Sequence, residues 1–266
     1  MRKFIPRDPT APKRALHTTG LTLIDEDGRY QSTMNLRGKL ARSGEMLDRK
    51  LQVVCGHCNG GWMSRLQKRA KPYLVPRIQS NWAQPLDESG QRAIAAWATM
   101  FAMVVEQADP DTIAISQRDR TALMLGSEPL PGWLIFLGRN RGVPGKFYHL
   151  TAAIGDDGLK AMNTHVTTFT VGGVLLQTMS SQVNYYETSG FSKTGTEQYA
   201  DKLGLCRLWP PLSSRVGMPT RVWSDQDFVL LGSIMERAGL FGKGPSGLHQ
   251  AIASGQFDPT YTGYRR

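Results

Sequence analysis

At 266 residues, with 40% apolar residues and a mean hydropathy of −0.33, the chain can bury one large core or two smaller ones. Three cysteines exclude a disulfide framework and fit a reducing, cytoplasmic compartment. No membrane association is expected. The opening MRKFIPRDPTAPKR has no apolar signal segment, and the most apolar run, AIAAWATMFAMVV (93–105), is too short to span a bilayer.

The formal net charge of +10 is unevenly placed. Residues 1–80 hold 16 Lys/Arg against 6 Asp/Glu, and residues 81–266 hold 16 of each. The whole excess therefore lies in the first third, the electrostatic footprint expected of a nucleic acid or another polyanion partner. A solvated basic face is the plain alternative.

In chain order, residues 1–50 begin with Pro6, Pro9 and Pro12 among basic residues. Two strand-like runs follow, LHTTGLTLI (16–24) and RYQSTMNL (29–36), joined as a hairpin across the turn DEDG. KLQVVC (50–55) reads as a strand. From Asn59 the pattern turns helical: Trp62, Leu66 and Ala70 repeat at i, i+4 and i+8, with Arg65, Lys68 and Arg69 on another face. Pro72 and Pro76 are expected to stop this helix, and the proline-punctuated stretch to Pro85 marks a boundary.

A second helix, capped by Asp87 or Ser89, carries the stripe Ile94, Trp97, Ala98, Phe101, Val104 and Val105 as far as ADPD (108–111). A shorter one follows Ser116 to Leu125. WLIFLG (133–138), FYHLTAAIG (147–155), HVTTFTVGGVLLQTM (165–179) and LCRLWP (205–210) are strand-like, and SDQDFVLLGSIMERAG (224–239) reads as a capped amphipathic helix. The expected class is α+β: a small basic region over 1–80, then a domain over 86–266 with helices followed by an antiparallel sheet.

The chemistry concentrates in VVCGHCNGGWMSR (53–65). Two thiolates two residues apart on a turn can point at one zinc ion, which then takes two further ligands. Three readings are open for this single CxxC: a zinc knuckle or its remnant, a redox pair, and two packed cysteines. A redox pair of the thioredoxin kind needs a βαβ context, which the pattern lacks. The third cysteine, Cys206, lies far downstream. Arg65, Lys68, Arg69 and Lys71 can pair with DNA phosphates, and Gly60 and Gly61 would let a phosphate approach the backbone. Trp62 is a core anchor.

CGHCNGGWMSRLQKRAKP (55–72) resembles the closing part of a bacterial and phage HNH endonuclease family, whose knuckle reads CxxCNxGWMS and opens the last helix. GEMLDRKLQVVC (44–55), KPYLVPRI (71–78) and the downstream α+β region are similar to that family too, and the specific part covers about 48–78. The resemblance implies a ββα-metal fold pinned by structural zinc between two CxxC pairs, here with Cys55 and Cys58 as one pair. It also implies a divalent ion such as Mg²⁺ at the scissile phosphate, with Asn59 in the last H position as the candidate catalytic residue, its amide oxygen either binding the metal or orienting a ligand.

In the family, a first CxxC and a Glu-His step that supplies the general base precede a stretch similar to MRKFIPR. This chain opens on that stretch, so the first CxxC and the base are expected to be missing from it. His17 does not match the base by position. His57, inside the knuckle, is a replacement ligand or an exposed turn residue; His149, His165 and His249 read as structural. The function implied is metal-dependent DNA cleavage by an N-terminally truncated chain, inactive unless upstream residues or a partner protein complete it. The alternatives are a catalytically silent descendant that binds nucleic acid, and an interaction protein in which residues 86–266 engage a protein partner. No GxSxG, Walker loop or HExxH occurs.

Overall fold

The computed structural model describes residues 17–24, 30–35, 53–142, 145–153, 162–183 and 193–228. The class is α+β, with helices over 56–128 followed by a largely antiparallel sheet. Of the ββα arrangement expected over 1–80, the strands 17–24 and 30–35 and the segment 53–80 are described, and the residues linking them are not.

Helix α1, Ser64–Ile78, buries Leu66, Ala70, Leu74 and Ile78 on one face. Pro72 and Pro76 do not stop it, contrary to expectation. Each proline removes one amide donor, Pro72 in mid-helix and Pro76 in the last turn, and the carbonyls this frees, of Lys68 and Pro72, belong to exposed residues open to water. The terminal carbonyls find other donors. Val75 accepts from Gln79 (3.2 Å), Pro76 from Asn81 (2.8 Å), Arg77 from Ser80 (2.9 Å) and Ile78 from Gly173 (2.8 Å). The Arg77 guanidinium adds a bond to the Tyr73 carbonyl at 2.7 Å.

Helix α2, Glu88–Val105, starts where the Asp87 carboxylate accepts the Gly90 N–H at 2.7 Å. It is buried on nearly every side because α1 covers one face and the sheet the other. Gly90 permits the close crossing: a Cβ there would stand 2.7 Å from the Tyr73 ring. Helix α3, Gln117–Gly126, begins at Ser116, whose hydroxyl accepts the Asp119 N–H at 3.1 Å.

The main sheet runs β10-β4-β7-β6-β5-β1-β2, with β8 also on β4. Its strands are β1 His17–Ile24, β2 Tyr30–Asn35, β4 Leu134–Asn140, β5 Phe147–Ala153, β6 Thr164–Val171, β7 Val174–Ser181, β8 Cys206–Trp209 and β10 Val222–Trp223. A short pair, β3 Leu86–Asp87 and β9 Arg215–Val216, stands apart. The N-terminal hairpin forms as expected, and β1 pairs β5 in parallel, so this hairpin extends the sheet. A second parallel pairing joins β10 to β4. The run 165–179 is two strands, turned at Gly172 and Gly173. Val53–Cys55, expected as the end of a strand, is irregular; residues 50–52 lie outside the described set.

Both sheet faces are covered in the centre. Phe169 stacks on Phe101 of α2 (4.1 Å between centroids), while Phe136 meets Tyr199 of helix α4, Lys193–Leu203 (5.4 Å). Two-sided burial explains why β4 reads LIFLG, a continuous apolar run. The helix-side core joins Leu66, Ala70 and Leu74 of α1 to Ile94 and Trp97 of α2 and to Leu176 of β7, so it runs across the segment 81–85 that ends at Pro85. A last helix starts at Ser224, where Ser224 and Asp227 exchange backbone-to-side-chain bonds (2.8 and 3.3 Å); its residues past 228 lie outside the described set. No helix among the described residues is long and apolar enough to cross a membrane.

Candidate functional site

Cys55, Gly56, His57 and Cys58 form one helical turn, and Asn59–Met63 continue it as a wider turn kinked at Gly61 (φ −88°, ψ −111°) before α1 begins. Cys55 sits at the head of the turn, and its sulfur accepts the Cys58 N–H at 3.4 Å. That bond holds the exposed Cys55 thiol below the ordinary cysteine value. The Asn59 N–H closes the turn on the Cys55 carbonyl at 3.0 Å, and its side chain is exposed. His57 is exposed as well. A Cβ at Gly60 or Gly61 would meet open space, so this backbone is accessible to a ligand.

Both thiols open onto a cleft of about 400 Å³ between the knuckle, α2 and α3. Its walls include Trp62 and Met63 beside the knuckle, Met100 and Met103 of α2, and Arg120 and Met124 of α3. Trp62 packs against the core cluster as expected, but it also lines this cleft.

Tetrahedral zinc takes four ligands. Among the described residues no group of three or more His, Cys, Asp or Glu comes together to hold a metal ion, so His57 does not complete the pair. The described donors supply half of a zinc shell.

The four expected DNA contacts, Arg65, Lys68, Arg69 and Lys71, are all exposed. They lie on the arc of α1 opposite Leu66, Ala70 and Leu74. Arg69 also donates to the Ser127 carbonyl, which fixes its direction.

Behind the cleft lies a buried polar network. Glu106, fully buried, pairs with Arg120 and accepts the Ala114 and Ile115 N–H groups at 3.0 and 3.1 Å. Burial pushes its carboxyl up to about 7, against the pull of Arg120 and the two amides. His149 and His165 are fully buried on the helix side of the sheet. His149 Nε2 donates to the Thr112 carbonyl (2.9 Å), which leaves Nδ1 to accept from the Thr167 hydroxyl (2.7 Å). Thr167 then accepts from His165 Nδ1 (3.1 Å). Burial lowers His149 to about 4 and His165 well below its usual value. Both are hydrogen-bonded imidazoles held neutral by burial. His249 lies outside the described residues, and His17 is placed there only as part of β1.

The chain matches no family model, no curated protein and no solved structure. The likeness to HNH endonucleases therefore rests on the residues of 48–78 themselves. The sequence did not point to Met100, Met103, Arg120 or Met124, which line the same cleft as the cysteines from other helices. The only signal was a high methionine count, 11 in the chain.

Proposed function

We propose that this chain binds nucleic acid, with the exposed cations of α1 seated on phosphates and the knuckle holding the start of that helix. The observation that carries the reading is the one-sided face of Arg65, Lys68, Arg69 and Lys71, directly after the CxxCN turn and away from the core. Phosphate pairing of this kind gives affinity and register without reading bases. It fits a chain whose net +10 is carried entirely by residues 1–80. Four contacts predict that log K falls with log salt at a slope of about −3 to −4.

The test is fluorescence anisotropy of a labelled duplex over a potassium chloride series, with the double variant Arg65→Glu/Lys68→Glu. Sequence-independent binding, weakened at least about tenfold in the variant and with a flatter salt slope, supports the reading. Equal binding by both proteins sinks it.

Phosphodiester hydrolysis, which the HNH likeness implies, is the second reading. It is favoured by Asn59, an exposed amide immediately after the second cysteine, in the place of the family's metal-binding residue. Zinc on Cys55 and Cys58, and Mg²⁺ beside Asn59, belong to this reading as proposals.

A further inference from the structure

We propose that Cys55 and Cys58, together with the thioethers of Met63, Met100, Met103 and Met124 around one cleft, form a binding site for a soft monovalent cation of the Cu(I) class. The inference does not rest on nucleic-acid binding, because the phosphate-facing cations occupy the opposite side of α1.

The knuckle provides two thiols, and the same cleft is lined by four methionines, whose sulfurs carry no charge and bind no proton. Zinc is a borderline divalent ion that favours thiolate, imidazole and carboxylate in fours, and the described residues gather no third such ligand. Cu(I) is soft, accepts thioether sulfur and is satisfied by fewer ligands, so thiolates with neutral thioethers suit it better.

Packing alone accounts for methionines in a core. Here, however, Met63, Met100 and Met103 are buried yet border a cavity of about 400 Å³, and Met124 stands 39% exposed at its edge. Their unbranched side chains can turn a sulfur into that space without moving a helix. Trp62 lines the same cleft, and its ring face attracts cations.

Binding is a ligand exchange without electron transfer. Two S–H bonds break and two protons pass to solvent, two thiolate–Cu bonds and at least one thioether–Cu bond form, and the chelator that carried the Cu(I) is released. Cu(I) is supplied as such and remains Cu(I).

The experiment titrates the whole reduced chain anaerobically with Cu(I) against a chromophoric Cu(I) chelator. X-ray absorption of the loaded wild-type protein is recorded in parallel. The expected result is one Cu(I) per chain with three or more sulfur neighbours, lost in Cys55→Ser/Cys58→Ser. Single Met→Leu changes at 63, 100, 103 and 124 keep volume and apolarity. At least one should weaken Cu(I) about tenfold or more, with zinc affinity and the thermal melt unchanged. A two-sulfur ion, or four leucine variants that all bind like wild type, would overturn the proposal and leave the methionines as packing. The absorption measurement needs no variant and decides the matter even if one of them fails to fold. A positive result beside absent DNA binding would reject the phosphate reading alone.

Discussion

Gly173 donates its backbone N–H to the carbonyl of Ile78 at 2.8 Å, so the tip of the β6–β7 hairpin supplies a donor that helix α1 cannot provide for its own last turn. The neighbour Gly172 makes the approach possible. It has φ +56°, and a Cβ there would meet the Ile78 oxygen at 2.6 Å. Gly172→Ala should destabilise the fold by about 2 kcal/mol or more, the sum of a left-handed backbone and a contact that must open. Chemical denaturation reads this directly. An unchanged midpoint would mean that the hairpin tip does not anchor α1.

The buried titratable groups set opposing pH dependences. His149 has its folded value lowered to about 4, so the unfolded chain binds its proton first and stability falls as pH drops from 6.5 to 4. His165 acts in the same direction. Glu106, raised to about 7, works the other way: the folded state holds its proton, and stability from this group is lost as pH rises from 4.5 through 7. The His149 and Glu106 effects are each about 3 kcal/mol and largely cancel. Glu106→Gln should therefore unmask the histidines, making urea midpoints fall more steeply between pH 7 and 4 than in the wild type. Parallel slopes in the two proteins would show that Glu106 stays ionised throughout.

Much of the fold was legible because periodicity carries it. The stripe Ile94–Trp97–Ala98–Phe101 announces α2, and Asp87 and Ser116 announce their helix starts through side-chain oxygens that cap real N–H groups. The misreadings have physical causes. Pro72 and Pro76 read as stops because each leaves one carbonyl, of Lys68 and of Pro72, without its helical donor; Lys68 and Pro72 are both exposed, so water can serve those carbonyls. The parallel partnership of β1 with β5 joins residues more than a hundred positions apart, which no local pattern encodes. The site divides in the same way. Cys55, Cys58 and Asn59 are contiguous and readable as a motif, whereas the methionine wall is assembled by helix packing alone.

Thiol reactivity should separate the three cysteines. Cys55 is exposed and held low by the Cys58 N–H. Cys206 is half-buried at the start of β8, and burial, with Asp201 nearby, pushes its thiol up to about 11. Nucleophilic attack goes through the thiolate, so iodoacetamide at pH 7.5 should label Cys55 at least about tenfold faster than Cys206. Peptide mapping against time gives both rates. Faster labelling at Cys206 would mean that β8 opens more readily than its packing indicates.

The last expectation concerns catalysis. With Mg²⁺ or Mn²⁺ the polypeptide as given should nick plasmid DNA only at background. Among the described residues no group of three or more His, Cys, Asp or Glu stands at the knuckle to fix a divalent ion, and Asn59 has an amide that cannot take a proton from water. A positioned general base is typically worth about 10²–10⁴-fold, and a half-filled zinc shell leaves the turn that would frame the phosphate loosely held. His57 is the nearest imidazole in sequence, two residues before Asn59 and exposed. Supercoiled plasmid incubated over a divalent-metal series, with His57→Ala and Asn59→Ala as companions, decides between the outcomes. Cleavage well above background that disappears in both variants would make the knuckle itself the catalytic centre. Cleavage that survives both changes would place the active site elsewhere in the chain.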